Sequence, residues 1–167
     1  MQIRDEFAST ALLTDQYELT MLAAALADGS AGRQCTFEVF ARRLPNGRRY
    51  GVVAGTARLL DALARFRFGP DELAVVAKFL DPATVEWLRE YRFGGDIDGY
   101  AEGELYFPGS PILTVRGSFA ECVLLETLAR WIVKQQTPVA TGGRPRGGGG
   151  GRGGGVVHWG RGGAPQT

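Results

Sequence analysis

Asp96-Ile97-Asp98-Gly99-Tyr100-Ala101-Glu102-Gly103-Glu104-Leu105-Tyr106-Phe107-Pro108-Gly109-Ser110-Pro111-Ile112-Leu113-Thr114-Val115-Arg116-Gly117 is the stretch on which the fold class turns. Three short runs suited to extended chain, 96–102, 104–107 and 111–117, are cut by Gly103 and by Pro108-Gly109-Ser110. Strands this close, joined by turns this tight, imply antiparallel pairing. Ser118 is placed to cap a final helix over 119–133, in which Leu124, Leu125, Leu128, Trp131 and Ile132 make an apolar stripe.

Upstream of Gly94-Gly95 the pattern is helical. Asp81-Pro82 opens one helix, with Val85, Leu88 and Tyr91 on one side. Gly69-Pro70-Asp71-Glu72 opens another, with proline in the first turn and acids at the positive end of the dipole. Val52, Val53, Leu59, Leu60, Leu63 and Phe66 predict a helix over 52–66. Residues 34–43 alternate Thr36, Glu38 and Phe40 against Phe37 and Val39, which is a strand pattern, and Pro45-Asn46-Gly47 is turn chemistry. The first helix is expected from Gln16 to about Ala27: Asp15 is a good N-cap, Glu18 completes a capping box, and Asp28-Gly29 ends the run. The order is α-β-α-α-α-β-β-β-α. Helices and strands segregate, which predicts an α+β fold with helices packed on a small, mainly antiparallel sheet.

The composition changes near residue 134. Beyond it Gly, Arg and Pro dominate, and half of residues 142–167 are glycine. Such a stretch cannot bury enough apolar surface to offset its chain entropy. The expected organisation is a flexible leader over 1–10, one folded domain over 11–133 and a disordered Gly/Arg-rich tail over 134–167. The chain has 19 basic and 18 acidic residues, so its net charge of +1 gives no pull toward nucleic acid or an anionic membrane, and neither is an expected partner. Cys35 and Cys122 show no CxxC or metal-ligand spacing. The opening Met1-Gln2-Ile3-Arg4-Asp5-Glu6 lacks a secretory apolar core, and no apolar run nears the roughly 20 residues that span a bilayer. These features fit a reducing, cytoplasmic setting.

No self-contained catalytic constellation is visible, and no metal site. Asp15 and Tyr17 read most simply as a helix cap and a ring on the core. Arg42, Arg43, Arg48 and Arg49 make a basic loop after the 34–43 strand, suited to carboxylates or phosphates because guanidinium forks match both. Asp96, Asp98, Glu102 and Glu104 fall at strand spacing and are expected to face solvent. His158, the only histidine, has no triad context and no H-E-x-x-H. Arg144 through Gly155 lacks the G-K-[ST] of a phosphate loop. The Arg-Gly-Gly steps at Arg146, Arg152 and Arg161 supply an alternative function, a small RNA-binding protein acting through its tail.

Three blocks, in order, resemble one family. They are Leu12-Leu13-Thr14-Asp15-Gln16-Tyr17-Glu18-Leu19-Thr20-Met21; Phe37-Glu38-Val39-Phe40-Ala41-Arg42-Arg43-Leu44-Pro45 with Arg48-Arg49-Tyr50 and Val52-Val53-Ala54-Gly55; and Glu102-Gly103 through Phe107-Pro108 and Pro111-Ile112-Leu113-Thr114-Val115 to Gly117, followed by Glu121 through Leu128. Over roughly 11–130 the chain resembles the N-terminal domain of the nicotinate phosphoribosyltransferases. The later blocks look more like the nicotinate branch than the nicotinamide branch.

The resemblance implies the family reaction of NAD salvage, in which nicotinate and phosphoribosyl pyrophosphate give nicotinate mononucleotide and pyrophosphate. It implies coupling to ATP hydrolysis through a phosphorylated histidine in a barrel domain, magnesium on the pyrophosphate, and a homodimer. Tyr17 would then lie against the pyridine ring across the dimer interface, with Asp15 at the site edge. The four arginines would face donor-sugar phosphates or acids of the partner subunit. The barrel and its coupling histidine have no counterpart in this sequence, and His158 does not occupy that motif. No residue here is expected to be catalytic or to bind ATP or magnesium. The polypeptide alone is expected to be inactive and poorly soluble. A shifted reading frame in GC-rich coding sequence accounts for the tail's composition and for truncation of the family pattern.

Overall fold

The computed structural model describes residues 8–44, 48–141 and 157–161. The leader over 1–7, the Pro45-Asn46-Gly47 turn, and the Arg146 and Arg152 steps of the tail lie outside the described residues.

A 3-10 turn (Ala11–Leu13) leads into α1 (Gln16–Ala27), where Asp15 and Glu18 form the expected capping box. Residues 9 and 10, assigned to the leader by sequence, are tied to the domain. The Ser9 hydroxyl donates to the Arg67 carbonyl, the Thr10 hydroxyl to the Ala62 carbonyl, and the Thr10 N–H to the Arg65 carbonyl. Strand β1 (Gln34–Ala41) follows, with Phe37, Val39 and Ala41 buried and the alternate residues half-buried. Then come β2 (Gly51–Val52), α2 (Thr56–Ala64), α3 (Pro70–Val76) and α4 (Pro82–Glu90). Strands β3 (Asp96–Gly99), β4 (Leu105–Tyr106) and β5 (Pro111–Ser118) lead to α5 (Phe119–Val123) and α6 (Glu126–Thr141).

All strand pairings are antiparallel, and the larger sheet has the order β3-β5-β1. The fold is α+β as expected, with two differences in wiring. First, β4 does not pair with its sequence neighbours. It leaves the main sheet and forms a two-stranded ribbon with β2, setting Gly51 opposite Tyr106 and Val52 opposite Leu105. The helix expected over 52–66 therefore begins only at Thr56. The ribbon forms because Tyr106, almost fully buried, lies over Gly51, where a Cβ would fall 2.4 Å from its ring. Second, the helix expected over 119–133 breaks at Leu124–Leu125. The Thr127 N–H is taken by the Glu18 carboxylate rather than by the preceding turn, so the helix restarts.

Two elements lie within the span assigned to the tail. Helix α6 continues to Thr141, and β6 (Val157–Arg161) pairs antiparallel with β1, extending the order to β3-β5-β1-β6. The run Val157-His158-Trp159 has the β-branched and aromatic character that favours strand, a local signal masked by the surrounding glycine.

The core gathers Leu19 and Leu22 of α1, Phe37 and Val39 of β1, Val115 of β5 and Leu124, Leu128 and Ile132 of the last helices. Within the same core Phe66, Phe68 and Tyr91 meet edge to face, with Phe66 and Tyr91 centroids 5.7 Å apart. The Tyr91 hydroxyl donates to the Glu121 carbonyl at 3.1 Å, and burial pushes its phenol up.

The ribbon also sets the start of α2. Gly55, at φ 100°, occupies the left-handed region and cannot cap through a side chain. Glu102, across the ribbon, does so instead, accepting from Gly55 N (2.8 Å), Ala57 N (3.1 Å) and Thr56 Oγ1 (3.1 Å). Burial would raise this carboxyl, but these hydrogen bonds together hold it below its ordinary value. Glu102→Ala is expected to cost about 1 kcal/mol in urea unfolding, the usual worth of a helix cap. Gly95→Ala should cost about 2 kcal/mol or more, because its Cβ would sit 2.0 Å from the Arg116 carbonyl oxygen and the backbone must shift. Parallel unfolding curves of wild type and both variants check the two values.

Candidate substrate-binding site

Two helix N-termini meet at Asp15 and Glu18. The Glu18 N–H donates to Asp15 Oδ1 (3.1 Å), and the Asp15 N–H returns to Glu18 Oε2 (3.3 Å). The Thr14 hydroxyl also donates to Glu18 Oε2. The other carboxylate oxygen, Oε1, accepts from Thr127 N (2.8 Å) and lies 2.6 Å from Thr127 Oγ1, which is also 3.1 Å from Asp15 Oδ2. Glu18 is 2% exposed and joins α1 to the first turn of α6. Donors surround both its oxygens, and the positive end of α6 faces it, which offsets part of the cost of burying a charge.

Burial is the largest influence on Glu18 and raises its carboxyl. The Thr127 and Thr14 hydrogen bonds oppose that rise and the Asp15 charge adds to it. Glu126 is raised as well, by burial first, with Asp15 adding and Arg130 opposing. Three carboxylates thus share this junction.

Tyr17 follows the cap and is not the core residue that a reading of local pattern suggests. Its side chain is 69% exposed and makes no ring contact or hydrogen bond among the described residues. Leu12, Leu13 and Trp131 are also close to half exposed, and Trp131 stands one helical turn beyond Thr127 with Arg58 over its ring at 6.0 Å. The junction therefore presents aromatic and aliphatic surface around an anchored acidic base.

Arg42 and Arg43 are exposed just after β1, and Arg48 and Arg49 are exposed just before β2. No described contact links them to Asp15 or Tyr17. Of the four strand carboxylates, Asp98 pairs with Arg116, Glu104 accepts from the Ala101 N–H, and Glu102 is the cap of α2; Asp96 is exposed. His158 and Arg161 fall within β6. Among the described residues no three His, Cys, Asp or Glu side chains gather as a metal site, and no helix is long and apolar enough to cross a membrane. An open cleft of about 600 Å³ beside α4 is lined by Trp87, Tyr91, Arg92, Ser118 and Glu121, and contains none of the site residues read from sequence. Sequence reasoning found the Asp15–Glu18 box but missed Thr14 and Thr127. The box is a local signal, whereas the bond to Thr127 joins residues that only the fold brings together.

The family profile for the nicotinate phosphoribosyltransferase N-terminal domain matches residues 12–134, which contain the junction, the ribbon and the sheet strands β1, β3 and β5. The chain belongs to the nicotinate phosphoribosyltransferase N-terminal domain family. Over 143 residues it is 70% identical to nicotinate phosphoribosyltransferase pncB1 of Mycobacterium tuberculosis, covering 80% of this chain and 32% of that protein. Over 135 residues it is 33% identical to the nicotinate phosphoribosyltransferase of Caenorhabditis elegans, covering 78% of this chain and 24% of that protein. The crystal structure of human nicotinic acid phosphoribosyltransferase superposes with a TM-score of 0.68 at 33% identity, over 72% of this chain and 25% of that one. The chain thus spans a quarter to a third of the length of these relatives.

For the family's N-terminal domain as it stands here, Thr127→Val removes one hydroxyl shared by two carboxylates and is expected to cost about 1–3 kcal/mol in denaturant unfolding. The raised Glu18 carboxyl also has a signed pH signature. The folded state holds that proton more tightly than the unfolded chain, whose carboxyl titrates near 4.5. Its contribution to stability is therefore fully present below that pH and declines as pH rises through the folded value. The stability difference between wild type and Glu18→Gln should move against wild type as pH is raised from 4 to 7. Chemical denaturation at several pH values measures it.

Proposed function

We propose that this chain serves as the N-terminal part of a nicotinate phosphoribosyltransferase acting in NAD salvage. The reaction joins nicotinate to phosphoribosyl pyrophosphate and releases nicotinate mononucleotide and pyrophosphate. The observation that carries this reading is Tyr17. Its ring stands in solvent, on a helix start fixed from below by Glu18 and Thr127. An exposed aromatic face on an anchored helix start suits a flat, electron-poor pyridine ring, and offset stacking contributes about 0.5–1.5 kcal/mol.

Asp15 lies at the foot of that face. Its charge repels the nicotinate carboxylate and favours a pose in which that group points away from the cap. Arg43, Arg48 and Arg49 have no partner among the described residues and, with Arg42, offer guanidinium forks to donor-sugar phosphates or to acids of a second subunit. Formation of the glycosidic bond passes through a ribosyl group with cationic character and a charged leaving group. That demands positioning and electrostatic clamping rather than a protein nucleophile. Magnesium and ATP find no ligand set among the described residues, so no step through them is assigned to this chain.

Exposed Leu12, Leu13, Tyr17 and Trp131 supply the apolar surface on which the remainder of a full-length enzyme, or a second subunit of a homodimer, would pack. The cytoplasm is the compartment that suits such an enzyme.

A steady-state assay with nicotinate, phosphoribosyl pyrophosphate, ATP and magnesium is expected to show no turnover by the 167-residue polypeptide. Clear turnover would overturn the division of labour. Addition of the remaining two thirds of the mycobacterial relative should restore activity. In that mixture Tyr17→Ala should raise the nicotinate KM about three- to tenfold, and Tyr17→Phe should preserve it. An unchanged KM in Tyr17→Ala would remove the stacking role.

A further inference from the structure

The two cysteines, isolated in sequence, come together at Gly117. Cys35 sits in β1 directly opposite Gly117 of β5, and its Sγ lies 3.4 Å from the Gly117 carbonyl oxygen. Cys122, in α5, is fully buried, and its Sγ is 3.3 Å from the point where a Cβ on residue 117 would stand. The missing side chain of Gly117 leaves room for the Cys122 sulfur, and the Cys35 sulfur meets the same residue at its carbonyl. Each is a thiol, and neither takes part in the transferase reading above. Burial raises the Cys122 thiol first, and the adjacent Cys35 raises it further by charge and by a side-chain hydrogen bond. The strand register and the Gly117 contacts bring the two side chains to the same residue from β1 and from α5.

We propose that Cys35 and Cys122 are a dithiol that closes to an intramolecular disulfide on meeting a small-molecule disulfide, tying β1 to α5. Cys35 is half-buried and is the entry point. Its thiolate attacks the small disulfide, forms a mixed disulfide and expels one small thiolate. Cys122 then gives up its proton and attacks the Cys35 sulfur. The protein disulfide forms and the second small thiolate leaves. The two protein S–H protons end on the two small thiols, and the two electrons lost by the protein pair reduce the small disulfide. Capping Cys35 abolishes its charge, so the repulsion it exerts on Cys122 disappears for the second step. Burial and the Glu121 charge still hold the Cys122 thiol up, and this makes closure the slow step. The bond would secure β1 against the short helix that precedes the Glu18–Thr127 junction.

The test uses the full chain and oxidised glutathione. Intact mass should fall by two hydrogens, about 2 Da, and protease digestion should yield one peptide pair joined through Cys35 and Cys122. The thermal midpoint should rise by roughly 5–10 degrees, since the cross-link closes a long loop in the unfolded chain. The equilibrium constant for disulfide formation against glutathione should be at least about tenfold larger in the native chain than in urea. Cys122→Ser should stop at a Cys35–glutathione adduct. Gly117→Ala should form that adduct and close poorly, because its Cβ would crowd the Cys122 sulfur. A lasting glutathione adduct on wild-type Cys35 with Cys122 unreacted, cross-linked dimers in place of the internal bond, or equal equilibrium constants in buffer and urea would each overturn the proposal.

Discussion

A buried carboxylate between two helix starts holds this domain in register. Glu18 closes the cap of α1 and at the same time receives the Thr127 N–H in the first turn of α6. Those two helices are far apart in sequence, and the Thr127 hydroxyl adds a second tie through Asp15. Burying a charge is costly, and it succeeds here because Thr14, Thr127, a backbone amide and a helix dipole all point positive ends at it. The break between α5 and α6 follows from the same bond. Once Thr127 N–H is committed to Glu18, the helix cannot run on through Leu124 and Leu125.

The arrangement separates rigidity from exposure. Glu18 is nearly inaccessible, and its immediate neighbour Tyr17 is nearly free of contacts. A ring displayed in solvent on a loose segment would lose entropy whenever it gripped a ligand. A ring displayed on a pinned helix start has already lost the backbone share of that entropy, so less remains to be lost on contact. An exposed aromatic ring is unusual for a residue that serves packing alone, and in the proposed function Glu18 steadies the backbone that carries it.

Elements built from local rules were legible in the sequence. The capping box set α1, proline at the first turn set α3 and α4, and alternation set β1. What escaped was contact between distant segments. The two-residue strands β2 and β4 have no periodicity to read, so Val52 looked like part of a helix and the ribbon was invisible. Glu102 looked like a solvated strand acid because its capping target, Gly55, is adjacent only across that ribbon. Asp15 and Tyr17 were singled out through resemblance to a family, since a cap followed by a ring is by itself an ordinary packing pattern. The convergence of Cys35 and Cys122 depended on a glycine whose importance is the side chain it lacks.

The strand order β3-β5-β1-β6 has a consequence for how the chain comes into being. Strand β1 is made early, yet its principal partner β5 does not begin until Pro111, after three helices have been laid down. Until then Phe37 and Val39 of β1 lack β5 and the last helices that complete their core, and α1 lacks the Thr127 that anchors it. Such distant pairings slow the search for the native state. A nascent chain leaving the ribosome therefore carries an incompletely covered strand while residues 42–110 are made, and it is in that interval that chaperones have most to guard.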